Sequence, residues 1–189
     1  MKTYDGHRKD IALDNIIMNT DMFGLAETWL EEDQQVHFNG FDGYFANFGK
    51  GKGQAGYTKL NLCCEPELVA SNNCSAILMK TSEFHIVFLY LSKNYDKKFV
   101  FGILQRWIDA RIPTAIMGDI NENFAETSKF NDFMQSGGFR QLVQSPTHRD
   151  GGILDHLYIN EAMNRKNIFF EINCCYFSDH DVISLYIRK

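Results

Sequence analysis

A chain of 189 residues, 44% hydrophobic and 14% aromatic, is long enough to bury the core of one ordinary domain and too apolar to be a disordered polymer. No apolar run approaches the ~18–20 residues of a membrane span, the N-terminus Met-Lys-Thr-Tyr-Asp-Gly-His lacks the apolar core of a signal peptide, and a net charge of −5 gives no general attraction for polyanions. Five cysteines with no Cys-x-x-Cys indicate a reducing, intracellular compartment and free thiols. The neighbours Cys63-Cys64 and Cys174-Cys175 read as small buried hydrophobes more readily than as vicinal metal or redox sites.

Apolar residues at Ile11, Leu13, Ile16, Ile17 and Met18 are near helical spacing, and Asp10 is positioned to cap that helix. Met22 to Ala26 reads as a short buried strand delivering Glu27. Phe38 to Phe48, rich in glycine, asparagine and aromatics, reads as an ordered loop, and Gly49-Lys50-Gly51-Lys52-Gly53 leads into a strand at Ala55–Thr58. Ala76 to Met79 and Phe84 to Tyr90 read as paired strands. Phe99 to Ala110 carries apolar residues on one helical face and ends before Pro113, ahead of a strand running to Asp119. Ser128 to Gln135 is a second amphipathic helix, ended by Gly137-Gly138. Phe139 to Val143 leads to Pro146-Thr147-His148, and Leu154 to Ile159, Ile168 to Phe177 and Val182 to Ile187 complete the strands. Helices and strands are mixed along one chain with no linker or repeat, so an α/β sandwich in a single domain, residues 1–189, is expected.

Chemistry-bearing residues recur where apolar runs stop. Glu27-Thr28-Trp29-Leu30, Tyr90, Gly118-Asp119-Ile120-Asn121, Pro146-Thr147-His148, Leu154-Asp155-His156 and Ser178-Asp179-His180 occur in that order. Taken singly, Gly-Asp after a strand is an ordinary turn, Glu27 a surface acid, and Asp-His a solvated loop pair. As a set they resemble the endonuclease/exonuclease/phosphatase superfamily from about residue 7 to the C-terminus, and within it the endonuclease domains of mobile elements, LINE-type retrotransposons and the helicase-linked nucleases of Helitron-like elements.

The resemblance implies a four-layered α/β sandwich, two mixed β-sheets face to face with helices outside, as in DNase I. It implies metal-dependent phosphodiester hydrolysis with Mg²⁺, or Mn²⁺ in its place, held by Glu27 and Asp179. Asp119 would activate the attacking water, assisted by Asn121. His180, oriented by Asp155, would contact the phosphate or move a proton. Tyr90 and Thr147 would add hydrogen bonds to the phosphate, His148 would pack or touch substrate, and Lys50 and Lys52 would meet backbone phosphate. His156 is expected to be structural, and His7, His37 and His85 are surface or loop histidines without a role.

The expected partner is the DNA phosphate backbone, in the nucleus, with the domain forming part of a larger multidomain protein and no membrane association. Three features run against this. The acidic balance weakens DNA binding. Leu91-Ser92 stand where relatives carry Arg-Pro after the tyrosine. Relatives also begin with a strand bearing an asparagine beside the metal, and alignment through Gly6-His7 and Asp10-Ile11 makes Met1–Tyr4 the continuation of that pattern. The asparagine then falls before Met1, and the expectation is a truncated first strand. The alternatives are a phosphatase or exonuclease acting on RNA or small phosphoesters, and a binding module with a decayed site.

Overall fold

The computed structural model describes residues 4–48, 52–71, 73–126 and 128–188. Its central layer is a six-stranded sheet. In chain order its strands are β4 (Glu65–Ser71), β5 (Cys74–Lys80), β6 (His85–Leu91), β7 (Thr114–Asp119), β8 (Phe139–Gln141) and β9 (Asp155–Asn160). They lie side by side as β4-β5-β6-β7-β9-β8, with β6 and β7 parallel and the other pairs antiparallel.

β5 to β7 are covered on both faces, which is why their sequences are almost continuously apolar rather than alternating. Leu78, Val87, Leu89 and Ile116 point to one face, towards helix α3 (Lys97–Trp107) and helix α4 (Lys129–Ser136). α3 is capped by Asp96, whose carboxylate accepts from Phe99 N–H, and it buries Val100, Ile103, Leu104 and Trp107. Each of those apolar side chains contributes about 1.5–3 kcal/mol when fully buried. Ser128 caps α4 by accepting from Asn131 N–H.

The alternate residues Ile77, Met79, Ile86, Phe88 and Leu157 point to the other face. Against them lies a three-stranded antiparallel sheet of β1 (Met22–Ala26), β3 (Gln54–Lys59) and β2 (Phe41–Ala46), in the order β1-β3-β2. The same face also receives a hairpin of β10 (Asn167–Asn173) and β11 (Val182–Arg188), which follows the short helix α5 (Glu161–Asn164). Outside the three-stranded sheet, helices α1 (Tyr4–Leu13) and α2 (Asn15–Asn19) close a third cluster through Ile11, Ile17, Phe23, Phe41 and Tyr57. Four layers result: helices, sheet, sheet, helices.

Several expectations change in detail. The second layer is two antiparallel pieces rather than one mixed sheet, because among the described residues β1 pairs with β3 alone and β11 with β10 alone. Phe41–Ala46 is strand β2, not loop, since it pairs along its whole length with β3. β4 carried no clean alternation and was not expected. The first helical stretch is broken at Asp14, which caps α2 through Ile16 N–H (2.9 Å) and Ile17 N–H (3.0 Å), while Asp10 lies inside α1. Tyr4 already belongs to α1, and Met1 to Thr3 lie outside the described residues. In each vicinal cysteine pair one member, Cys63 or Cys174, is exposed.

Candidate active site

β7 is the spine of the site. It runs parallel to β6 and antiparallel to β9, and it stops at Asp119. Gly118 makes that close approach possible: its φ is +144°, and a Cβ there would sit 2.0 Å from the carbonyl oxygen of Leu89. Asn121 follows in the left-handed region at φ 54°, which asparagine tolerates better than most residues. Its backbone N–H donates to Asp119 Oδ1 at 3.0 Å, and its Nδ2 donates to Asp119 Oδ2 and to the Leu91 carbonyl, each at 3.0 Å. The acid and amide suggested by Gly-Asp-x-Asn are therefore one hydrogen-bonded unit.

Asp119 is 4% exposed and lies directly opposite Asp155 in the antiparallel register. Burial first, then repulsion from Asp155, push its carboxyl up to about 7, with a smaller push from Glu27 and partial relief from His180 and the Asn121 N–H. Asp155 turns to His180, whose Nδ1 lies 2.8 Å from Asp155 Oδ2. Burial alone would lower the His180 pKa, but the bond and charge of Asp155, with Asp119 and Asp179 behind it, raise it to about 9. His180 is then an imidazolium at neutral pH, with Nδ1–H committed to Asp155.

His180 and Asp179 sit on the loop between β10 and β11, and that loop is sewn to residues 147–149. Asp181 N–H donates to the Thr147 carbonyl (2.8 Å), Arg149 N–H donates to the Asp179 carbonyl (3.0 Å), and His148 and His180 form an isolated antiparallel bridge. The two imidazole rings are 4.8 Å apart at 71°. Asp150 N–H donates to His148 Nδ1 (3.1 Å), which leaves Nε2 facing Asp179 Oδ2 at 3.7 Å. Thr147 is fully enclosed: its hydroxyl accepts from the N–H groups of Leu154 (3.1 Å) and Asp155 (3.0 Å). Its influence therefore runs through the position of Asp155, not through open cleft surface.

Glu27 arrives from the opposing layer at the end of β1, with φ 52°, and Trp29 follows at φ 55°. Thr28 between them donates its N–H to the Gly53 carbonyl at 3.1 Å. Tyr90, at the end of β6, donates its hydroxyl to Glu27 Oε1 at 2.9 Å, and burial followed by the Glu27 charge raises the phenol well above its ordinary range. Lys52 lies on the same rim, its Nζ donating to Asn73 Oδ1 at 3.0 Å. Lys50 lies outside the described residues.

The described carboxylates and imidazoles group into two sets whose ligand atoms lie within 4.8 Å of one another: Asp119, Asp155 and His180, and His148, Asp179 and His180. Glu27 joins neither, although its charge is felt at Asp119. The carboxylate oxygens in these sets are the donors a hard divalent cation takes, and Asp119, pushed up first by burial and then by Asp155, would gain compensating charge from one. Sequence reasoning missed Glu122. Its carboxylate accepts from Tyr95 Oη (2.8 Å) and Ser128 Oγ, and its carbonyl accepts from His156 Nε2 (3.0 Å). It fixes the corner after Asn121, and an acid next to Gly-Asp-x-Asn was the only signal. His156 is fully buried, bonded also to Tyr158 Oη (3.1 Å), and burial lowers its pKa. His85 is the half-buried first residue of β6 rather than a loop residue.

No protein-family model matches the sequence, and no curated protein matches it. Solved structures match in fold. The endonuclease domain of TRAS1, a telomere-specific non-LTR retrotransposon, is similar at TM-score 0.69 and 15% identity, over 95% of this chain and 90% of its own. An endonuclease/exonuclease/phosphatase family protein from Leptotrichia buccalis is similar at 0.64 and 13%, over 96% and 90%. An AP endonuclease from Archaeoglobus fulgidus is similar at 0.61 and 15%, over 88% of each chain. With this sheet order, these four layers and these neighbours, the chain has the fold of the endonuclease/exonuclease/phosphatase superfamily.

Proposed function

We propose that the chain is a divalent-metal-dependent phosphodiesterase that nicks DNA, working in the nucleus as the endonuclease part of a larger mobile-element protein. The observation that carries the hydrolase reading is the convergence of Asp119, Asn121, Asp155 and His180, with the Glu27–Tyr90 pair beside them, at one end of the central sheet. The DNA and mobile-element parts draw support from the order of the motifs and from similarity to the TRAS1 endonuclease domain.

Hydrolysis needs an activated water, a neutralised phosphate and a stabilised leaving oxygen. Asp179, from the set with His148, and Glu27, which lies outside both sets, would hold Mg²⁺ or Mn²⁺, which would supply charge neutralisation for the phosphate and its leaving oxygen. Asp119 accepts the proton of the attacking water: a carboxyl near 7 is matched to the working pH, and Asn121 holds it in one orientation. His180 presents Nε2–H to a non-bridging phosphate oxygen, where the hydrogen bond strengthens as charge accumulates, while Asp155 keeps the ring aimed and charged. Tyr90 holds the Glu27 carboxylate in place.

A second reading, hydrolysis of small phosphoesters, is favoured over a polynucleotide by the −5 net charge, which gives no general attraction for polyanions. Supercoiled plasmid with Mg²⁺, with and without chelator, separates the two. Chelator-sensitive nicking that disappears in Asp119→Ala and His180→Ala is expected. Turnover of small phosphoesters without nicking transfers the assignment to the second reading, and inactivity on both sinks the hydrolase.

A further inference from the structure

We propose that Lys93 and Arg149 bind backbone phosphates on the two sides of the scissile bond, so that the substrate is a polynucleotide strand laid across β6, β7 and β9. This rests on the phosphodiesterase reading above.

Lys93 lies two residues beyond the end of β6. Its turn is fixed by Ser92 N–H to the Asn73 carbonyl (3.0 Å), Asn73 Nδ2 to the Asn94 carbonyl (3.0 Å) and Tyr95 N–H to the Ser92 carbonyl (3.1 Å). The residue just before that turn, Leu91, gives its carbonyl to Asn121 Nδ2. Lys93 therefore stands beside the Asp119–Asn121 unit on the β6 side. Arg149 stands on the β9 side: its N–H is 3.0 Å from the Asp179 carbonyl, and the preceding His148 is bridged to His180. Since β7 lies between β6 and β9, the two cations flank Asp119.

Both side chains are exposed, and neither has a carboxylate partner among the described residues. Both are also placed where net charge matters most. The chain as a whole repels polyanions at −5, and the rim around Arg149 carries Asp150, Asp179 and Asp181. Arg149 is the exposed guanidinium on that acidic rim, beyond the histidines that face the scissile phosphate. A small phosphoester has no such phosphate and gains nothing from either cation, so the pair selects for length.

Arg149→Ala, Lys93→Ala and the double variant are assayed on supercoiled plasmid and on bis(p-nitrophenyl) phosphate in Mg²⁺ across a salt series, with thermal melts to verify folding. Each loss is expected to raise KM for plasmid about fivefold with kcat held, and to flatten the log–log salt slope by about 0.9. The double variant lowers the ratio of plasmid to bis(p-nitrophenyl) phosphate efficiency more than tenfold. Unchanged nicking and slope overturn the proposal, and so does an equal loss on both substrates. If the unaltered chain hydrolyses neither, the phosphodiesterase reading falls. Anisotropy of a labelled DNA duplex, which needs no turnover, then decides the flanks alone: binding unaffected by both substitutions overturns them too.

Discussion

The half of the site carried by β7 and β9 and the half carried by the loops at Glu27, His148 and Asp179 differ in burial and in what fixes them. Asp119 and Asp155 are held on adjacent strands of a sheet covered on both faces, and 4% of Asp119 reaches solvent. Asp179 leaves 58% of its side chain exposed, and its loop is held by a few main-chain bonds to residues 147–149. The buried half is where like charges opposed across a ladder raise an acid to about 7. The loop half is where charge stays screened and adjustable. In the proposed mechanism, proton chemistry falls to the sheet, and cation and substrate binding to the loops.

Breaking the sheet half at its centre has the largest expected effect. Asp119→Ala lowers kcat for nicking about 10²–10⁴-fold, the range of a lost general base, with KM held; a loss confined to KM would move Asp119 to binding. Asp155→Asn is expected to lower kcat about 10²-fold and to drop the His180 pKa from about 9 towards its ordinary value, read by NMR titration in chelator. An unmoved titration would remove Asp155 as the orienting group.

Gly118→Ala tests the scaffold beneath them. A Cβ 2.0 Å from Leu89 O must displace backbone, so a loss of about 3 kcal/mol in urea unfolding is expected from strain and overlap together. Thr147→Val leaves the N–H groups of Leu154 and Asp155 without their shared acceptor. About 1–3 kcal/mol is expected, with a change in kcat larger than in KM because Asp155 loses its support.

The pH dependence of stability in chelator sharpens the same contrast with smaller effects. Asp119 holds its proton to about 7 when folded, against ~3.9 unfolded. The folded state binds more protons across that window, so stability falls as pH rises through it. His180, raised to about 9 against ~6.5, contributes stability that is complete below 6.5 and lost as pH rises through 9. Asp119→Asn should abolish the lower decline and His180→Gln the upper one, measured as urea midpoints at pH 4 to 9.5. A loop-half control, Asp179→Asn, should leave the lower decline in place.

Local pattern was enough to find β1 and the strand ending at Asp119, because apolar runs stop abruptly where a side chain must face the cleft. It was also enough for α3 and α4, whose apolar spacing is a local property, although α3 begins two residues earlier than that spacing, at the Asp96 cap. The order of acids, amides and imidazoles carried the resemblance that implied one hydrolytic pocket, because each chemical group is encoded next to the element that presents it. Contacts between distant segments were beyond such reading. Phe41–Ala46 became a strand only because β3 pairs with it, the second layer divides into two pieces by pairing alone, and Glu122 gained importance only when Tyr95, Ser128 and His156 met it. Protonation was decided there as well. That Asp119 lies opposite Asp155, and His180 against Asp155, follows from strand register and loop docking, and electrostatic energy depends on those distances and on burial, not on separation along the chain.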